Sequence, residues 1–456
     1  MGKSGLDMTE GRVMRSLLAF SIPALLANML HQVYTLTDNI IVGRVLGLEA
    51  LAAVGVTTPV IMLLGSLIFG INNGVTILLS QAYGSRDIPQ MRRSFYNSLY
   101  LGLLVAAVMA ALGTAMPVPV LKLIGTPEGP LRDAASYIRI SFFTSFCPML
   151  YFLFSCAFRG MGDSRTALYC MIVSVTGNVF LDLLFVAVFG WGVAGSAWAT
   201  ALAQFCATAL AAVLLFRKYP IIRPQPEDWR PQGAILKRIA GLAIPIALQS
   251  AFINLGSLAA QAAVNLFGEL VMGAYTAAGK IGALALLPLE SLGSSLSVFT
   301  GQNYGAKKAP RIRAGVRAGL LLQLLFSTAL AVLLALFGRQ FTALFLTDPP
   351  AEMLDISFSY LMITAVPGIL AGVMFVYQQA LRGVGLVRDS MYGGFVQLGV
   401  KIAVVLIGAM ALRSLNVIWL AWPLSYIAGA VFVWLRGRRS PWIMGSAQKE
   451  AVQRGA

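Results

Sequence analysis

Residues 157–162 read Ala157-Phe158-Arg159-Gly160-Met161-Gly162, and the chain returns to them as Ala380-Leu381-Arg382-Gly383-Val384-Gly385. The copies lie 223 positions apart, and Arg165 and Tyr169 behind the first are matched by Arg388 and Tyr392 behind the second. Further out, Gln81-Ala82-Tyr83-Gly84 recurs as Gln302-Asn303-Tyr304-Gly305 at an offset of 221, with Pro89 and Arg92 matched by Pro310 and Arg313. Ile22-Pro23 recurs as Ile244-Pro245 at an offset of 222. Matches in one order at a nearly constant offset mark a tandem of two related units.

The solvent for those units follows from composition. Of 456 residues, 58% are hydrophobic and 11% charged, whereas a soluble domain carries roughly 25% charged residues. So few charges cannot cover a water-exposed surface. The apolar residues run in stretches of about 20 or more, enough to cross a hydrocarbon layer of about 30 Å as helices. Read between charged or Pro/Gly-rich breaks, the first half gives spans at 15–42, 50–80, 92–117, 134–158, 166–190 and 193–216. The second gives 239–266, 271–301, 312–338, 353–381, 390–412 and 416–435. The fold class expected is therefore all-α and integral to the membrane, with twelve transmembrane helices in two six-helix bundles. Six is even, so both bundles enter from one side and form a parallel repeat with a pseudo-two-fold axis along the membrane normal. The domains expected are an N-terminal bundle at 1–216, a linker at 217–238, a C-terminal bundle at 239–436 and a basic tail at 437–456.

The formal net charge is +16, and its placement decides what it means. Counting alternate connections, one side holds 26 Lys and Arg and the other holds five: Arg44, Lys122, Arg132, Arg339 and Arg413. The positive-inside rule puts the richer side, with both termini, in the cytoplasm of a bacterial-type plasma (inner) membrane. Spread over seven short connections, the basic residues form no nucleic-acid recognition motif. Cys147, Cys156, Cys170 and Cys206 all fall in apolar stretches with no metal-ligand spacing. The opening polar residues and the long run after them fit a first span and no cleavable signal peptide.

Three acids lie well inside spans: Asp38, Asp182 and Glu290. An ionisable side chain at the bilayer centre costs roughly 2.5–3.5 kcal/mol, so each needs a partner or a purpose. Tyr34 precedes Asp38 by one helical turn, Asn178 and Asp182 share a helix face at i,i+4, and Thr200 in the sixth span adds a hydroxyl. Two carboxylates with an amide, a phenol and a hydroxyl can hold Na⁺ as hard oxygen ligands, or share a proton. If Na⁺ is the ion, its ligands are Asp38, Asn178, Asp182 and Thr200. The competing reading puts both acids at helix ends, in water. The second half lacks this set, with Ala260, Lys401 and Val405 at the positions of Asp38, Asn178 and Asp182. Glu290 with Lys280 or Lys401 forms either a self-neutralising pair or, with Gln249, a contact for substrate. Pro23 removes a backbone hydrogen bond mid-span, giving a hinge or a static kink. His31 reads as a satisfied interior histidine, and less as a proton relay.

By these residues the chain resembles a known family. Thr37-Asp38-Asn39-Ile40-Ile41-Val42-Gly43-Arg44, Arg159-Gly160-Met161-Gly162-Asp163 and Gly177-Asn178-Val179-Phe180-Leu181-Asp182 are similar to MATE (multidrug and toxic compound extrusion) transporters. So are Gly192-Val193-Ala194-Gly195-Ser196-Ala197 and Gly301-Gln302-Asn303-Tyr304-Gly305-Ala306, and the resemblance runs over roughly 12–436. It implies two six-helix bundles forming a V and export of organic cations or amphipathic drugs by H⁺ or Na⁺ antiport. Resemblance to the DinF-type branch implies that Asp38, Asn178, Asp182 and Thr200 form the cation site, with Tyr34 beside it and Pro23 as the responding bend. The NorM-type branch adds an acid in the seventh span, where residues 239–266 hold no Asp or Glu.

Other functions fit less well. A lipid-linked oligosaccharide flippase of the same superfamily handles a pyrophosphate and needs cationic residues in its cavity, yet the first half offers acids. Major-facilitator transporters share the span count, but Gly84-Ser85-Arg86-Asp87 misses the spacing of their loop motif. With one histidine and scattered acids the chain has no constellation for an intramembrane enzyme. The expectation is a monomeric transporter in contact with lipid and small-molecule substrates, with no cofactor beyond its coupling ion.

Overall fold

The computed structural model describes residues 5–344, 349–365 and 368–443. The end of the expected tail, with Lys449 and Arg454, lies outside the described residues. Among the described residues every regular element is helical. In chain order the first half has α1 (Val13–Leu46), α2 (Leu48–Gly84), α3 (Ile88–Ala115), the short α4 (Pro117–Leu123), α5 (Glu128–Phe143), α6 (Phe146–Gly160), α7 (Ser164–Asp182) and α8 (Gly192–Lys218). The second half has α9 (Gly233–Asn265), α10 (Glu269–Gly305), α11 (Ala309–Ala343), α12 (Ala351–Ala365), α13 (Gly368–Gly383), α14 (Val387–Leu406) and α15 (Leu415–Arg439). Among the described residues ten helices are long and apolar enough to cross a membrane, and α5–α6 and α12–α13, each bent by 45°, bring the number to twelve with each pair as one span. That makes the chain a multi-pass membrane protein of twelve crossings, with the anticipated spans matched to within a few residues.

The bend between α5 and α6 has a local cause. Pro148 has no N–H to offer the Thr144 carbonyl, and Cys147 N takes that carbonyl at 2.9 Å in a tighter turn. Asp163 starts α7 by accepting from Thr166 N at 3.0 Å, and its other oxygen accepts from Lys218 Nζ at 2.7 Å and Tyr219 OH at 2.9 Å. One carboxylate therefore caps α7 and ties down the end of α8. Gly162, with φ +81, admits the N-terminal strand of chain there, since a Cβ would stand 2.2 Å from Leu6 O. The repeat extends to irregularities: a π-helical turn at Leu183–Val188 follows α7, and another at Ile407–Ala411 follows α14.

The described residues up to Asp7, with Leu26–Ala247, form one compact unit, and Met8–Leu25 with the chain from Leu248 form the other. The lobes expected at 1–216 and 239–436 assign all of α1 to one bundle and all of α9 to the other. The units instead change hands inside both helices, two residues beyond Pro23 in α1 and two beyond Pro245 in α9. The linker belongs to the first unit, where Arg92 pairs with Asp228 at 3.0 Å and Tyr96 OH donates to Ile222 O at 3.0 Å.

Close packing in the first unit uses small residues. A Cβ at Gly70 would meet Ala247 Cβ at 2.5 Å and Ala243 O at 2.6 Å, and one at Gly74 would meet Ala243 N at 3.0 Å. A Gly-xxx-Gly face on α2 thus receives an Ala-xxx-Ala face on α9, the pattern that lets helix backbones approach in lipid. In the second unit the equivalent position of Gly74 is Ser295, whose Oγ donates to Leu17 O at 3.0 Å.

Candidate functional site

Three helices of the first unit each turn a polar row at i,i+4 spacing toward the others. On α1 it is Tyr34 and Asp38, on α7 Asn178 and Asp182, on α8 Ser196, Thr200 and Gln204. The sequence-predicted residues Asp38, Tyr34, Asn178, Asp182 and Thr200 come together. Asp38 is 7% exposed and accepts from Ser196 Oγ at 2.6 Å. Asp182 is fully buried on the last turn of α7. The two carboxyl groups are close enough to act on each other electrostatically. Tyr34 OH and Thr200 Oγ1 share a hydrogen bond of 2.9 Å, and Asn178 Nδ2 donates to Thr200 Oγ1 at 3.3 Å.

Three acceptors of the cluster lack a donor. Both Asp182 oxygens and Asn178 Oδ1 are buried without a hydrogen-bond partner among the described residues. A buried acceptor left unmade costs about 1–3 kcal/mol, and more when charged. Two facing carboxylates can bond directly only if one carries a proton. Otherwise a cation must stand among them. Two carboxylates, an amide oxygen and hydroxyls are hard oxygen donors, suited to H⁺ or Na⁺. Among the described residues no group of three or more His, Cys, Asp or Glu assembles for a transition metal. These acids do not meet bulk water at helix ends.

Three neighbours escaped the sequence reading. Ser196 lies in a quoted motif but was given no role; its signal was the i,i+4 step to Thr200. Tyr137 on α5 packs beside Val42 and Val193 next to the acids, and nothing in its own apolar stretch marked it. Gln204 continues the α8 row and lines a cavity of about 50 Å³ with His31, Tyr34, Asn178 and Thr200. His31 stands on the wall of that cavity, its ring 5.8 Å from Tyr34.

The second-half candidates take other places. Gln249 is 2% exposed, and its Oε1 accepts from the buried Arg382 guanidinium at 2.7 Å, so it faces an arginine. Glu290 is exposed on α10 near Tyr426. Lys401 on α14 sets its ammonium 4.3 Å from the Trp422 ring centroid. Among the described residues no ion pair joins Glu290 to Lys401. Pro23 sits inside α1, as anticipated.

Known proteins resemble this chain in sequence and in fold. The MatE family profile fits the chain twice, at residues 23–184 and 245–407, one match for each repeat. "Probable multidrug resistance protein YoeA" of Bacillus subtilis (strain 168) is 31% identical over 432 residues, 92% of this chain and 93% of that protein. The "FAD transporter" of Shewanella oneidensis is 28% identical over 375 residues, 81% of this chain and 82% of that one. A solved structure described as the outward-facing conformation of a multidrug resistance MATE family transporter superposes with a TM-score of 0.90. It is 22% identical and covers 97% of this chain and 99% of its own, a likeness of fold.

Proposed function

The chain belongs to the MatE family of membrane transporters, and from that premise we propose that it exports organic cations or amphipathic drugs in exchange for H⁺ or Na⁺. The observation that carries the coupling is the donor-free set of Asp182 Oδ1, Asp182 Oδ2 and Asn178 Oδ1 facing the Asp38 carboxyl. One cation satisfies all of these acceptors, and its departure leaves two negative charges opposed in a low-dielectric interior. The cluster is therefore more stable loaded than unloaded, and its ion biases the conformational equilibrium to the extent that the alternate state holds that ion less well. Ser196 and Thr200 orient Asp38 and Tyr34 for that exchange.

In this reading Pro23 is where α1 flexes as the charge state changes, since its helix lacks one backbone hydrogen bond there and passes between compact units two residues later. The names of the multidrug resistance relatives support a small-molecule substrate. In this reading the protein works as a monomer, and its basic-residue asymmetry supports a bacterial plasma (inner) membrane with both termini cytoplasmic.

The test is dye efflux from proteoliposomes under an imposed pH gradient and, separately, a Na⁺ gradient. One gradient should drive efflux, and Asp38→Asn should abolish the gradient-dependent part while the purified protein stays monodisperse. Full gradient-driven efflux by Asp38→Asn removes the coupling role of the acid pair.

A further inference from the structure

The second unit carries its own cavity, of about 250 Å³, enclosed by α9, α10, α11, α12, α13, α14 and α15. Its wall is aromatic: Tyr275, Tyr360, Trp422 and Tyr426 line it, with Tyr360 set edge-on to Tyr275 at 5.3 Å and to Trp422 at 5.5 Å. Trp419 stacks behind Tyr275 with planes 6° apart and fixes that ring. Among the lining residues one carries a charge, Lys401. Its ammonium rests against the Trp422 face at 4.3 Å, which occupies one side and leaves donors for another partner. Ser327, 3% exposed, also lines the cavity, and its Oγ has no hydrogen-bond partner among the described residues.

Lys401 stands at the repeat position of Asn178, while Ala260 and Val405, at the positions of Asp38 and Asp182, are packed in the apolar core of the second unit. Where one repeat gathers acceptors that need a cation, the other thus presents a cation and an unmet hydroxyl inside an aromatic box. Glu290 is not among the lining residues, and it approaches the cavity only behind Tyr426.

We propose that this cavity binds a planar aromatic carboxylate, its ring system against the wall that Tyr275, Tyr360 and Trp422 form and its carboxylate between Lys401 and Ser327. The volume suits a bicyclic ring with one acidic group. Aromatic faces stack on the rings with an offset or edge-to-face geometry, and the ammonium makes a charge-assisted hydrogen bond in a desolvated site. The site lies wholly within the second unit and is separate from the coupling cluster.

The full-length protein in detergent tests this with two probes of matched shape, 2-naphthoate and 2-naphthylmethylammonium, titrated by isothermal calorimetry without any gradient. Naphthoate should bind about tenfold tighter than the ammonium, and Lys401→Gln should weaken it about tenfold, the loss of one charge-assisted hydrogen bond. Lys401→Arg should retain naphthoate binding. Equal or stronger binding of the ammonium probe overturns the proposal, and does so in the unaltered protein even if Lys401→Gln fails to fold. An unchanged naphthoate affinity in Lys401→Gln overturns it as well. The calorimetry uses no gradient and alters no residue of the coupling cluster, so this site and the coupling reading stand or fall by different measurements.

Discussion

Ser196 Oγ donates to Asp38 Oδ1 across 2.6 Å, joining α8 to α1 at the acid pair. Among the described residues Asp38 accepts from no other side chain, and it is 7% exposed. Ser196→Ala therefore leaves a buried carboxyl oxygen with no donor, at a cost of about 1–3 kcal/mol. Thermal unfolding in detergent should show a lowered midpoint. Gradient-driven efflux should fall several-fold, because Asp38 is no longer held toward Asp182.

Asp182→Asn should act on stability in the opposite direction. The fully buried Asp182 has two orphaned oxygens facing a second carboxyl. An amide of the same shape keeps one acceptor and gains a donor for Asp38, so a repulsive contact becomes a hydrogen bond. The variant should unfold at the same or a higher temperature than the parent and lose coupled efflux. A stable protein without coupling is the signature of a site whose strain serves function. A lowered melting temperature with efflux intact would count against the acid pair as the coupling element.

Much of this was legible in the residues. Twelve crossings follow from apolar run length, and the tandem follows from paired motifs such as Arg159-Gly160-Met161-Gly162 and Arg382-Gly383-Val384-Gly385. The site residues on α1 and α7 announced themselves as charges in lipid. Ser196 and Tyr137 did not, since a serine or tyrosine in an apolar helix costs little and carries no mark of its partner. The place where α1 and α9 pass between compact units was also hidden. Hydropathy sees a helix as one span, and Gly70 and Gly74 reveal the close approach of Ala243 and Ala247 only when backbones are placed together. Gln249 shows a related limit: its composition suits a substrate contact, and only packing sets it against Arg382.

Gly70 offers a test of that packing with a built-in control. In a helix interior, Gly→Ala normally stabilises by roughly 0.5–1 kcal/mol. At Gly70 the new Cβ would lie 2.6 Å from the Ala243 carbonyl oxygen, a backbone atom that cannot swing away. Overpacking of this kind costs about 1–3 kcal/mol. Gly70→Ala should therefore lower the unfolding midpoint. Gly55→Ala on the same helix, with nothing within 4 Å of its Cβ, should hold or raise it.

Gln249 separates a structural partner from a substrate contact. Its Oε1 accepts from Arg382 at 2.7 Å, while Arg382 Nε donates to Ser390 Oγ at 3.0 Å, and all three side chains are buried. Gln249→Leu keeps the bulk and removes one of the two acceptors of a buried guanidinium. Hydrogen bonds to charged groups contribute about 1.5–3 kcal/mol, so unfolding should come several degrees earlier and membrane yield should drop. Gln249→Glu restores an acceptor and adds a counter-charge, and should recover most of the loss. A substrate contact predicts another pattern: unchanged melting for Gln249→Leu, with the relative efflux of different dyes altered. Melting curves and a dye panel on the same two variants decide between them, and the buried arginine beside Gln249 favours the first outcome.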